Sequence, residues 1–259
     1  MQNTSELYQE IIRGKHTFDT RLAVGETGRL ITKTGDSITF GGVSILVGAS
    51  GAEAGYDESI LYSMGTSIRM FSEETPTVGS CVSGEIDVVM LRPAGNIPRQ
   101  ARLVPYVRAT DGLRHSEWLQ KGVYYVDTRE VFEDSAGVQS ITLHGYDAML
   151  KAEQEYPTSK LQWPARDIEV VREIAKAMDV GIDSRTVELM DQAYIVQYPA
   201  DYSCREVLGY IASMYGGCFI MSNLGELRLV ALYSIPTETR YLITKTGFAI
   251  TFGGDRILV

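Results

Sequence analysis

An eighteen-residue pattern that occurs twice constrains this chain more than any other feature. Residues 30–47 read LITKTGDSITFGGVSILV, and residues 242–259 read LITKTGFAITFGGDRILV, 212 positions further on. The copies differ at Asp36/Phe248, Ser37/Ala249, Val43/Asp255 and Ser44/Arg256, beside the turns marked by Thr-Gly and Gly-Gly, while the apolar positions survive. Ile38 and Phe40 fall on one face of a strand and Thr39 on the other. Gly41-Gly42 supplies the positive backbone angles that a two-residue hairpin needs. Each copy is therefore predicted to be a short β-meander. So long a spacing predicts two related sheets in one chain and not a solenoid, whose units recur every few tens of residues.

With 259 residues there is room for one large or two ordinary domains. Hydrophobic content of 44% and charged content of 22% are those of a globular protein and exclude a disordered or fibrous one. No apolar run of eighteen residues and no basic-then-apolar leader is present, so a soluble chain without an export signal is expected. Cys81, Cys204 and Cys218 show no CxxC spacing and cannot all pair, which predicts reduced, buried thiols in a cytosolic setting. The formal charge of −9 comes with no basic patch for gripping a phosphate backbone. An acidic surface suits a wall along which DNA slides, and does not suit a protein that must hold it.

Along the chain, Leu7, Ile11 and Ile12 recur at helical spacing before Gly14, and Phe18 to Val24 alternate as a strand. The short first helix must lie on this chain's own sheet or on a neighbouring subunit. GASGAEAGYDESI, residues 48–60, reads as an exposed loop whose glycines match neither GxxxxGK[ST] nor GxGxxG. Between Ser67 and Leu143, SIRMF, SGEIDVVMLRP, ARLVPYVRAT, KGVYYVDTREVF and VQSITLHG each read as strands, with apolar residues on both faces. That pattern fits a small barrel or a sheet packed on two sides. The period then changes. Helices are predicted over Tyr146–Tyr156, over DIEVVREIAKAMDV with Asp167 at its cap, and over SCREVLGYIASMYGG with Ser203 and Glu206 as a capping box and Gly216 closing the end. CFIMS and LRLVAL form a hairpin before the second meander. The forty or so residues after Gly216 hold only four or five strands, so the second sheet is expected to be completed by further chain or by a partner.

Few residues carry a chemical signature. His16, His115 and His144 are scattered, with no HExxH and no second histidine one turn away, so no metal site is predicted. No GxSxG, SxxK or DxDxDG motif occurs. Glu73-Glu74, Glu133-Asp134 and Glu153/Glu155 lie in turn-like or helix-surface contexts where solvation accounts for them, not the facing carboxyls of a glycosidase. Tyr124, Tyr125, Tyr146, Tyr156, Tyr210 and Tyr215 suit a core edge or a subunit interface. No catalytic, cofactor-binding or metal-binding residue is predicted, and the chain is not expected to be an enzyme.

The run VGSCVSGEIDVVMLRPAGNIPRQARLVPYVRATDGLRHSEWLQKGVYYVDT, with LHGYDAMLKAEQEYP after it, resembles the hub or tail-tip proteins of tailed bacteriophages and prophages, particularly those of Gram-positive hosts, and REVLGYIASMYGGCFIMSNLGELRLV is similar to the helix-then-hairpin opening their second barrel. The resemblance implies an α+β, β-rich fold of two related, tail-tube-like β-barrel modules joined by a helical connector, the second module incomplete. Residues 1–150 would hold the N-terminal helix and first barrel, 151–200 the connector, and 201–259 a helix and the start of the second barrel. It also implies a homotrimer at the distal end of the tail, with the tail tube or distal tail protein above and a tip or fibre protein below. In a threefold ring, two look-alike modules per chain match a sixfold tube. DNA would pass through the lumen without specific binding. Assembly in the bacterial cytoplasm, no membrane contact and no cofactor complete the expectation. Two rivals remain: a tail-associated peptidoglycan hydrolase, needing an acid pair or zinc triad, and a carbohydrate- or receptor-binding module, needing an exposed aromatic shelf around Trp118 or Trp163.

Overall fold

The computed structural model describes residues 4–25, 39–40, 43–44, 54–72, 75–93, 97–190, 194–232, 251–252 and 255–256. In chain order the first half holds α1 (Glu6–Arg13), β1 (Thr17–Gly25), β2 (Thr39–Phe40), β3 (Val43–Ser44), β4 (Ala54–Asp57), β5 (Leu61–Ser67), β6 (Glu85–Leu91), β7 (Arg102–Thr110), β8 (Leu119–Gln120), β9 (Tyr124–Glu133) and β10 (Gln139–Asp147). The second half holds β11 (Ala165–Arg166), α2 (Asp167–Ala177), α3 (Ser184–Leu189), β12 (Ile195–Val196), α4 (Cys204–Met214), β13 (Gly217–Met221), β14 (Leu227–Ala231), β15 (Thr251–Phe252) and β16 (Asp255–Arg256).

An antiparallel sheet in the order β4-β1-β7-β9-β10-β6-β5, with β8 on β7, dominates the first half. The expected closed barrel is not what forms: β4 and β5 are edges, and no hydrogen-bonded seam joins them. Those two edges are nonetheless consecutive in sequence, separated only by the turn at residues 58–60. Seven strands laid flat would put them about 29 Å apart, whereas four Cα steps reach about 15 Å. The sheet must therefore curl into an open trough. Alternate residues fill it, among them Leu22, Ile86, Val88, Met90, Leu103, Tyr124 and Leu143.

A second core lies against the end of this sheet, built by α2, α4, β13 and β14 around Met149, Val171, Ile174, Met178, Leu208, Ile211 and Phe219. The capping box at α4 forms as expected, Ser203 Oγ accepting from Glu206 N and Glu206 accepting from Ser203 N at 2.8 Å. Gly216 closes the helix with φ of 55°. On α2 the cap is Arg166, and Asp167 is instead a buried first residue that accepts from the Tyr215 hydroxyl at 2.5 Å. α1 lies on its own chain, held where Ser5 N donates to Glu117 at 2.7 Å.

Four local expectations need correction. Residues 54–57 of the expected loop form β4, because β1 offers them a pairing edge from Arg21 to Val24. The strand near SIRMF is shifted earlier, to Leu61–Ser67, where β6 is available. The helix over Tyr146–Tyr156 is cut to a short 3-10 helix, Ala148–Glu153. Tyr146 and Asp147 stay in β10, and Tyr156 N leaves the helical path to donate to Tyr202 O at 2.9 Å. Helix α3 was not expected at all.

The two copies of the repeated pattern share one feature among the described residues. Phe40 pairs with Val43 and Thr39 with Ser44, while Phe252 pairs with Asp255 and Thr251 with Arg256. Both are hairpins bracketing the Gly-Gly dipeptide in the same register. The rest of both meanders lies outside the described residues.

Candidate assembly surface

The sheet and the helical unit meet at a polar clasp. Arg205, one residue into α4, donates to Cys81 O, to Met149 O at 3.1 Å and to Ser83 Oγ at 3.3 Å, and its Nε lies 2.9 Å from a Glu153 oxygen. The buried Asp147, at the end of β10, accepts from Gly84 N at 2.7 Å and Met149 N at 2.9 Å. Burial pushes its carboxyl up to about 6, against the downward pull of those two hydrogen bonds and of Arg205. Beside the clasp Gly79 and Gly209 pack backbone to backbone: a Cβ on Gly209 would stand 2.8 Å from Gly79 O. A residue with any side chain at either place would push α4 off the loop preceding β6.

The concavities formed by described residues include three. One, of about 500 Å³, lies between residues 77–82 and α4 and is walled by Val78, Arg205 and Tyr210. A second, of about 620 Å³, lies on the outer side of β1 and β4, among Asp19, Arg21, Asp57, Glu58, Arg108 and Trp118. The third, of about 550 Å³, is formed by the start of α3, the β13–β14 turn and Ile68 after β5. There the Asp183 carboxylate is held by Arg185, whose Nε donates to it at 2.8 Å, and Arg228 lines the wall. The buried Nε of Arg228 has no acceptor.

The residues singled out in the sequence do not converge. Trp118 is half-buried with the Arg108 guanidinium 4.5 Å over its ring, and Trp163 is half-buried edge-on to Tyr156 and Tyr198, so neither is an exposed shelf. His16 contacts Gly14 O, His115 lies 3.2 Å from Asp19, and His144 lies 2.8 Å from Asp87. Glu153 serves Arg205, Glu133 and Asp134 sit at the tip of the β9–β10 hairpin, and Glu73-Glu74 lies outside the described residues. In the β1 cleft Asp19 is paired to Arg108, Glu58 accepts from Thr20 N, and Asp57 is held below its ordinary range by Ser59, the reverse of what a general acid needs. Among the described residues no group of three or more His, Cys, Asp or Glu is placed to hold a metal. Cys81, Cys204 and Cys218 are free and buried. Sequence reading missed Arg205, Asp147 and Arg228. Arg205 lies inside a capping segment that signals only a helix start, and nothing local marks the other two.

No protein-family model and no curated protein matches the chain. Among solved structures it is similar to the 43 kDa tail protein of prophage MuSo2 from Shewanella oneidensis, at 12% identity and a TM-score of 0.50. Its fold is similar to that of a prophage tail protein. The likeness covers 88% of this chain, so it takes in both the sheet and the helical unit, and the chain spans 59% of the prophage protein's length. Weaker likenesses are to the tail protein from Neisseria meningitidis MC58 (13% identity, TM-score 0.42, 68% of this chain and 53% of that one) and to a Francisella PdpA-VgrG complex (7% identity, TM-score 0.42, 85% and 29%). At such identity the likeness to the prophage tail protein is one of fold.

Proposed function

We propose that this chain is a structural protein of a phage or prophage tail: a trimeric hub at the distal end that links tail tube to tip and forms part of the DNA conduit. The observation that carries the reading is the fold shared with the prophage MuSo2 tail protein across 88% of the chain. The recurrence of one hairpin register 212 positions apart supports two related modules per chain, the arrangement that lets a threefold ring sit on a sixfold tube. The charge of −9 supports a lumen that repels DNA and lets it slide. The role is mechanical, without catalysis or a cofactor. Partners are two further copies of the chain, the tube or distal tail protein above and a tip or fibre protein below, assembled in the host cytoplasm. No helix among the described residues is long and apolar enough to cross a membrane.

Light scattering on the purified chain tests the oligomer. The expected mass is three times the 28.6 kDa of one chain. A monomer at concentrations of tens of micromolar, well above those at which stable ring contacts of about 1,600 Å² hold, would contradict it.

A further inference from the structure

β5 is an edge of the large sheet, and its outer ladder is left open. Asp147 N donates to Gly84 O and Arg92 N to Gln139 O, so the even-numbered residues of β6 bond to β10 and the odd-numbered ones to β5. Glu85, Asp87 and Val89 therefore hold Ser67, Gly65 and Ser63. The N–H and C=O groups of Met64 and Thr66 point away from the sheet and meet no partner among the described residues.

The other edge is stopped by a side chain and a turn. Where β4 ends, Glu58 Oε1 accepts from Thr20 N of β1 at 3.0 Å, and Asp57 O accepts from Ile60 N at 3.1 Å. Nothing comparable caps β5 among the described residues. From Ser59 to Ile68 the chain carries no charge and no proline, two of the devices that blunt an open edge. The bulge at Leu61/Ser63 lies before the open stretch.

The two faces of this edge differ. Met64 packs half-buried against the trough core, and Thr66 on the same side hydrogen-bonds the buried Tyr124. The outer side shows only the small residues Ser63, Gly65 and Ser67, and a Cβ on Gly65 would meet no atom within 4 Å. Behind them β6 carries Glu85 and Asp87 on the same face, the Asp87 side chain 69% exposed even with His144 beside it. A strand added to β5 would lie two strands, about 10 Å, from Asp87. A lysine on that strand can reach the carboxylate because Gly65, between them, has no side chain.

We infer that the β5 edge docks an extended segment of a partner protein, paired antiparallel through Met64 and Thr66 as an added strand. Its apolar side chains turn into the trough and its basic ones lie over Gly65 and Ser67. A second copy of β5 does not fit this description: it offers no cation, and it brings another Glu85 and Asp87 to the same face. The docking does not depend on the oligomeric reading above.

Amide hydrogen exchange on the full chain tests it, with a synthetic seven-residue peptide alternating lysine and valine as the probe. Saturating peptide is expected to slow exchange at Met64 and Thr66 about tenfold or more. Ser63, Gly65 and Ser67, already bonded to β6, should change little. The same peptide N-methylated at its valines keeps every charge but has no donor for the edge, and is expected to protect neither amide. Asp87→Lys, at an exposed position, is expected to weaken binding of the lysine–valine peptide about threefold or more. Exchange at Met64 and Thr66 that the peptide leaves unchanged, or that the N-methylated form slows equally, would overturn the inference. Slowing that rises with protein concentration alone would make a second copy the occupant and overturn it as well.

Discussion

Arg205 on the first turn of α4 donates to the carbonyl oxygen of Met149 at 3.1 Å, joining a helix to the turn after β10 across 56 residues of chain. The same guanidinium serves Cys81 O and Ser83 Oγ, so one side chain satisfies three acceptors from two segments. The junction between sheet and helical unit is held by this fork as well as by packing.

Arg205→Ala removes the fork and strands partly buried carbonyls, with an expected loss of about 2–4 kcal/mol. Urea unfolding should show a lower midpoint with an unchanged slope. Arg205→Lys should recover only part, because an ammonium cannot reproduce the planar set of donors.

Asp147 makes stability depend on pH with an unusual sign. Its carboxyl titrates near 6 in the folded chain and near 4 when unfolded. The folded state therefore binds more protons between those values, and the contribution of this group falls as pH rises from about 4 to 6. The size is at most about 3 kcal/mol. The check is the difference in unfolding free energy between the wild type and Asp147→Asn: it should shift in favour of Asp147→Asn as pH rises through this window and level off above pH 7.

Gly79 has φ of 82°, and a Cβ there would strike Ser213 Oγ and stand 2.8 Å from Gly209 O. Gly79→Ala thus combines left-handed strain with backbone overlap, an expected loss of about 2–4 kcal/mol. Calorimetry should show Tm lowered by roughly 5–15 °C. An unchanged Tm would mean that the loop and α4 are not in this close contact.

Burial pushes the Cys81 thiol up to about 12 and that of Cys204 up to about 11, and Cys218 is buried with them. A thiol-specific colorimetric reagent at pH 8 should react slowly with the native protein and with all three thiols in guanidinium. Fast native reaction would mean that the core around α4 opens.

The elements that were legible in the sequence are those whose signal is local. The Ser203/Glu206 capping box, Gly216 and the alternation in residues 85–91 specify their structure within a few residues, and α4, its end and β6 form where expected. The Gly-Gly hairpins likewise form in one register in both copies. What failed depended on distant partners. The segment 54–57 is a strand only because β1 lies beside it, and the chain after Glu153 stays extended because Tyr202 and Ser203 pair with it. Whether a sheet of seven paired strands closes into a barrel is set by its two edges, which no local pattern reveals. The clasp at Arg205 and the orphan donor of Arg228 were hidden for the same reason: each side chain looks like surface charge until the fold surrounds it.

Electron microscopy of purified phage particles carrying a gold label on this chain tests the tail assignment most directly. Label concentrated at the distal end of the tail, at the junction of tube and tip, is the expected result. Intact, infectious particles without label, or with label on the head, would contradict it.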